Sequence, residues 1–243
     1  MSYRGSYGLD TNGGQVSIMR GVSKQQRFWH VGNRLAIDFG NTVAGRNGKD
    51  GLAEWRDVVE FLLEAGTVDR SEARRLGRFS EIDPYKAAAA FRTARDLRDA
   101  VRDLVTRIAS GKVLPSTIID RVNSVMRAGQ GHHTLSPRRT QWAIHFVQSS
   151  DEPAAALVPI ARSAAEIIAD SHARNAIRKC ANPECMLYFY DTSRVGKRRW
   201  CSMAVCGNRA KVAAHMERLR MRVASGGTRP APTDRAAHLR QSG

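Results

Sequence analysis

All four cysteines of the chain lie between positions 180 and 206, at two identical spacings, Cys180-x4-Cys185 and Cys201-x4-Cys206. One tetrahedral ion gripped by two short turns needs thiolates in two close pairs, and the 15 residues between the pairs suffice for a β-hairpin. The competing readings are two disulfides or four unrelated core cysteines. Secreted disulfide proteins carry a signal peptide, whereas the opening stretch MSYRGSYGLDTNGGQ has no apolar segment after its basic residue, and no run approaches the roughly 18 apolar residues of a membrane span. A reducing cytosol is therefore the expected compartment, with no membrane partner, and paired cysteines there bind metal more often than each other. Four thiolates close the coordination shell and leave no position for water or substrate, so the expected cofactor is one structural Zn2+ held by Cys180, Cys185, Cys201 and Cys206.

The segments around the cysteines suggest a small finger. Met186–Tyr190 reads as an apolar strand, Asp191–Gly196 as a turn and Lys197–Trp200 as the basic returning strand. From Lys211 to Val223 no Pro or Gly interrupts a helix. Val212, Met216, Leu219 and Val223 recur at helical spacing as an apolar stripe expected to pack, beside a cationic stripe of Lys211, His215, Arg218 and Arg222. The knuckle, hairpin and helix together would make a treble-clef-like finger. Between His172 and Val223 twelve lysines and arginines stand against three carboxylates, and the tail from Ala224 adds a further +2, so +11 of the total +16 lies in the last 72 residues. That asymmetry is the footprint of a phosphate-binding surface, set against a solvated basic face that merely aids solubility.

Here the residues resemble a known family. Cys180-x4-Cys185, the run Arg198-Arg-Trp-Cys-Ser-Met203 and Cys206-Gly-Asn-Arg209 are similar to the CGNR zinc-finger family of bacterial stress-induced transcription regulators, in which the finger follows an ABATE-type domain. Gly32-Asn-Arg-Leu-Ala-Ile-Asp-Phe-Gly-Asn-Thr42 resembles the family's Leu-Asp-Phe-x-Asn-Thr pattern, with Ile37 in place of Leu. The resemblance spans nearly all of residues 28–222 and implies DNA binding and control of transcription.

At 243 residues, 42% hydrophobic and 26% charged, the chain has room for one larger and one smaller domain. The expected class is α+β: a disordered extension at 1–25, a mostly helical ABATE-like regulatory domain with short antiparallel strands at 26–171, the four-cysteine finger at 172–223 and a disordered tail at 224–243. Phe28–Phe39 alternates enough for one or two short strands broken at Gly32-Asn33, followed by a loop to Asp50. Asp38, Asn41 and Thr42 either line a small-molecule effector pocket or hold that loop as turn residues. Helices are expected at Leu52–Ala65, stopping at Gly66; from Ser71 through Leu76; from an Asp83 cap and Pro84 to about Ser110; and from Ser116 to Ala128. His132–Leu135 and Gln141–Gln148 suggest a hairpin around Ser136–Thr140, its histidines lacking carboxylate or thiolate partners at ligand spacing. Asp151-Glu-Pro153 begins a helix to about Asp170 that runs into the finger with little flexible linker.

No Gly-rich phosphate loop, Gly-x-Ser-x-Gly elbow or His-Glu-x-x-His occurs, so nothing points to an enzyme. The expectation is a cytoplasmic, nucleoid-associated regulator that binds double-stranded DNA. Lys197, Arg198, Arg199, Lys211 and Arg218 would hold phosphates, and Asn208, Arg209 and His215 would reach base edges, with bracing of the zinc loop as the competing role of Asn208 and Arg209. The N-terminal domain would sense a small molecule, or contact RNA polymerase, another protein or a second protomer. The alternative is a basic finger that grips an acidic protein partner without touching DNA. Tyr188, Phe189, Tyr190 and Trp200 look needed for the small core, which weakens an RNA-stacking reading.

Overall fold

The computed structural model describes residues 7–9, 15–17, 26–44, 49–138, 141–148 and 150–224. Inside the segment expected to be disordered, β1 (Tyr7–Leu9) pairs antiparallel with β2 (Gln15–Ser17). The rest of residues 1–25, part of the loop before Asp50, and the expected tail from 225 onward lie outside the described residues.

The stretch from Phe28 to Phe39 departs from the expected strands. Leu35–Gly40 forms a short helix, α1, continued by a 3-10 turn at Asn41–Val43. All six residues of α1 are buried, Asp38 included. A helix buried on every side has no polar face and hence no helical period in its sequence, and a short apolar run cannot be told from a strand by pattern alone.

Other helices pack around this buried turn, and most helix ends follow local chemistry. Helix α2 (Trp55–Ala65) starts in a capping box of Glu54 and Asp57 and ends at Gly66, whose φ of 74° is the left-handed conformation a glycine adopts freely. Helix α3 (Arg70–Ile82) is capped by the Asp69 carboxylate, which accepts from the N–H of Ser71 and Glu72. It runs past the expected end at Leu76, and Phe79, one turn further on, packs partly buried against the main core. Asp83 caps α4 (Pro84–Ala109) by accepting from Lys86 N–H at 3.0 Å. Ala87, Ala90, Ala94, Leu97, Val101 and Leu104 form the buried stripe of this 26-residue helix, which packs on α1, α2, α3 and α5 (Ser116–Met126). Pro115, not Ser116, precedes the first turn of α5. A 3-10 turn at Pro153–Leu157 leads into α6 (Val158–Ala169), and α1 lies between α4 and α6.

Strands β3 (Gly131–Arg138) and β4 (Gln141–Gln148) form the expected hairpin, with Leu135 opposite Ile144. His132 is exposed there, and among the described residues the four cysteines are the only cluster suited to a metal. Helix α7 (Ser171–Asn175) follows α6 directly and hands the chain to β5 (Ile177–Lys179), which pairs antiparallel with β6 (Tyr188–Tyr190). Ile177 and Tyr188 belong to the same buried core as α1, α4 and α6. Helix α8 (Asn208–Ala224) closes the described chain.

Candidate metal centre

Strands β5 and β6 bracket the first cysteine pair, with Ile177 opposite Tyr190 and Lys179 opposite Tyr188. Cys180 N–H donates to Leu187 C=O at 3.0 Å and Cys185 N–H to Asn182 C=O at 2.9 Å, so the ladder ends in a tight knuckle. The hairpin arm paired with β6 is therefore the segment upstream of Cys180, and Lys197–Trp200 is not a strand. The cause lies at Asp191. Its carboxylate accepts from Ser193 N–H at 2.9 Å and Arg198 N–H at 3.0 Å, which holds the 191–198 segment as a closed loop rather than a reversal into a strand. Burial pushes this carboxyl up, but the Ser193 hydroxyl and those backbone donors outweigh it and hold it below the usual range. The loop returns Arg199 C=O to Ala181 N–H at 2.8 Å, which sets the second cysteine pair over the first.

The four sulfurs lie within 4.8 Å of one another. Cys185 and Cys201 are 3.8 Å apart, and Cys201 and Cys206 3.6 Å. A tetrahedron with Zn–S bonds near 2.3 Å has S···S edges of about 3.8 Å, so the cluster is suited to binding one zinc ion. Its electrostatics call for a cation. The hydrogen bond from Cys201 pulls the Cys185 thiol down to about 5; the same bond, then burial, pushes Cys201 far up, and burial raises Cys206. Cys201 N–H donates to Cys180 Sγ at 3.4 Å and the Asn182 amide to Cys206 Sγ at 3.6 Å, outer-shell bonds that orient the ligands. Cys206 comes from a π-turn at Met203–Gly207 immediately before α8. Bound there, zinc would supply structural cross-linking, with Cys180 and Cys185 on the knuckle and Cys201 and Cys206 on the turn.

Arg198 departs from its expected phosphate role. Its guanidinium donates to Trp200 C=O at 2.9 Å, to Cys201 C=O and to Val31 C=O at 3.4 Å, and lies 4.4 Å over the Phe189 ring. Burial lowers its pKa, and its Nη1 is buried with no hydrogen-bond partner. This side chain braces the metal loop. Lys197, Arg199, Asn208, Arg209, Lys211, His215 and Arg218 are exposed, and Arg199 stacks 5.0 Å from the Trp200 ring. The Asn208 amide reaches only Ala204 C=O, one helical turn back at 3.4 Å. The loop bracing weighed for Asn208 falls instead to Asn182 and Arg198, which sequence reasoning missed; an Asn two residues after the first cysteine was the available signal.

Helix α8 contains no buried residue. Val212, Met216, Leu219 and Val223, expected to pack, are 62, 48, 41 and 79% exposed. Periodicity correctly found the stripe, but periodicity does not say whether a partner lies within the same chain.

Asp38, Asn41 and Thr42 are buried and engaged with the chain's own backbone. Asp38 accepts from Gly32 N–H at 2.6 Å, and the Thr42 hydroxyl donates to Phe39 C=O at 2.7 Å. The Asn41 amide donates to Tyr188 C=O at 2.8 Å and accepts from Tyr188 N–H at 3.0 Å. Gly32 C=O accepts from Tyr190 N–H at 2.7 Å, and the Asn33 amide donates to Tyr190 C=O at 2.9 Å from a left-handed backbone with φ of 60°. A Cβ on Gly32 would lie 2.8 Å from Asp38 Oδ1 and Ile37 Cγ2, so the close approach requires glycine. This segment is a clamp on the free edge of β6, and the effector-pocket reading gives way to it. A separate cavity of about 330 Å3 lies beside the metal loop, between Trp29, Val43 and Ala44 on one side and Glu184, Met186 and Arg209 on the other.

Residues 33–171 match the family model ABATE, described as "Putative stress-induced transcription regulator", and residues 176–219 match the model CGNR zinc finger. No curated protein matches the chain.

Proposed function

The chain belongs to the ABATE family and carries a CGNR zinc finger after that domain, and from this we propose that it regulates transcription by binding double-stranded DNA with the finger and α8. The observation that carries the reading is the state of α8: a 17-residue helix with no buried residue, set at the last zinc ligand and lined with Arg209, Lys211, His215, Arg218, Arg220 and Arg222. Lys197, Arg199, Lys211 and Arg218 hold phosphates, and Asn208, Arg209 and His215 face the bases, a division in which backbone contacts set register and base edges give specificity. Zinc contributes by fixing the angle at which α8 leaves the finger. The protein then acts in the cytoplasm at the nucleoid, and a second protomer would double these contacts.

The N-terminal domain acts as the sensor or interaction domain in this reading. Arg209 lines the cavity beside the metal loop together with Trp29 and Val43 of the N-terminal domain, so a small molecule seated there would touch both the domain and the DNA-facing helix.

The test is binding to random-sequence duplex across a salt series. A steep log-log slope that falls by about one in Arg199→Ala and by about two in Arg199→Ala/Arg218→Ala supports phosphate contact. Absence of binding at low salt overturns it. The exposed apolar stripe of α8 favours a second reading, in which the basic finger holds an acidic protein partner such as a component of the transcription machinery; capture of purified RNA polymerase by a protein inert toward DNA would support it.

A further inference from the structure

The exposed apolar stripe of α8 sits between two cationic borders. Successive residues of an α-helix turn by about 100°, which places Val212, Met216, Leu219 and Val223 within a sector about 60° wide. Arg209 and Arg220 border that sector on one side, and Lys211, His215, Arg218 and Arg222 on the other. Alanines occupy another side: Ala210 and Ala213, with Arg209 beside them, face Asn182, Pro183, Glu184 and Trp200 of the finger across a cleft of about 470 Å3. The helix thus turns its small residues toward its own domain and an apolar ridge with charged flanks toward solvent.

A ridge of this kind meets a strip that is apolar along its centre and anionic along both edges. The major groove of B-DNA has that character where it carries thymines: their C5-methyl groups lie on the groove floor, and the two phosphate backbones run along its rims about 12 Å apart. Resting on the DNA-binding reading above, we propose that α8 enters the major groove ridge-first and that Val212, Met216, Leu219 and Val223 read thymine methyl groups. Arg220 then reaches one backbone, and Lys211, Arg218 and Arg222 the other. The ridge discriminates A·T-rich sites without hydrogen-bonding to the bases, since apolar side chains pair with that methyl group and with no other major-groove feature.

Replacing thymine by uracil removes the methyl and leaves every base-pairing and groove hydrogen-bonding group in place. The experiment measures binding of the zinc-loaded full chain to a short A·T-rich duplex, to the same duplex with uracil for thymine, and to a G·C duplex with and without 5-methylcytosine, each across a salt series. Wild type should prefer thymine to uracil by about fourfold for each methyl covered, and 5-methylcytosine should restore affinity to the G·C duplex. Met216→Ala/Leu219→Ala should lower the thymine-to-uracil ratio by about fourfold for each methyl those two side chains cover, while leaving the salt slope unchanged. These side chains touch no core and Ala is a strong helix former, so the variant keeps its fold. Equal affinity of wild type for thymine and uracil duplexes, with a steep salt slope, overturns the ridge assignment and leaves DNA binding standing. A flat salt response with no duplex bound overturns the reading on which it rests.

Discussion

Asn41 closes both hydrogen bonds on the main chain of Tyr188, a residue 147 positions away, donating at 2.8 Å and accepting at 3.0 Å. A side-chain amide here takes the place of a neighbouring β-strand. Strand β6 is hydrogen-bonded to β5 on one edge, and Gly32, Asn33 and Asn41 serve the other. Asn41→Ala should strand the Tyr188 N–H and C=O in a buried setting and cost about 3 kcal/mol. Chemical denaturation reads the loss, and limited proteolysis should show earlier cleavage in the finger; unchanged stability would contradict the clamp.

Neighbouring arginines should separate cleanly. Arg198→Ala removes the brace on Trp200 and Cys201 carbonyls and should weaken zinc retention and thermal stability. Arg199→Ala leaves the zinc affinity and midpoint unchanged, because its guanidinium touches only the Trp200 ring. Zinc competition with a chromogenic chelator distinguishes them, and equal effects would refute the division.

Zinc uptake should release protons at neutral pH. Cys185, drawn down to about 5, is already a thiolate there. Cys201 and Cys206, both raised, hold their protons until the metal displaces them. Groups raised in the metal-free fold favour that state at low pH and oppose zinc there, so affinity should rise with pH through neutrality and fall on acidification. Metal titration in a weakly buffered indicator solution reads the released protons; uptake without release would contradict these thiol states.

Cys201→Ser should abolish stoichiometric zinc and loosen residues 180–206 while α1 to α6 stay folded. The metal supplies much of the stability of the small finger, whereas the helical core is built on residues such as Leu97, Val101 and Ile160 that never meet it. Because Ile177 and Tyr188 also sit in that core, its midpoint should drop modestly. Hydrogen exchange resolved by segment checks this, and global unfolding would overturn it.

The cysteine set was legible because coordination chemistry demands a spacing that sequence displays directly. Helix boundaries at Asp83-Pro84 and Gly66 were legible for a similar reason, their signals being local. Helix α1 was not, since all six of its residues are buried and no face differs from another. The pairing of β6 with Ile177–Lys179, rather than Lys197–Trp200, depended on the Asp191 loop, whose bonds to Ser193 and Arg198 leave no mark on hydropathy. Asn33 read as a strand break, and Asn41 as a pocket or turn residue, because their partners lie 157 and 147 positions downstream. Arg198 looked like its basic neighbours; only the placement of Phe189 and the Trp200 carbonyl separates it from them.

The clamp also bears on portability. A fragment cut at 176–224 and grafted onto another carrier would take every zinc ligand and all of α8, yet leave behind Gly32, Asn33 and Asn41. It would also lose Arg102, which donates to Met186 C=O at 2.9 Å, and Thr106, whose hydroxyl meets the Tyr188 hydroxyl at 3.0 Å. The transplanted piece would carry an open strand edge and a half-covered tyrosine into its new host, inviting self-association. The interchangeable part of this molecule is the whole of 26–224, and swapping specificity between relatives is better done by exchanging the solvent face of α8 than by moving the finger.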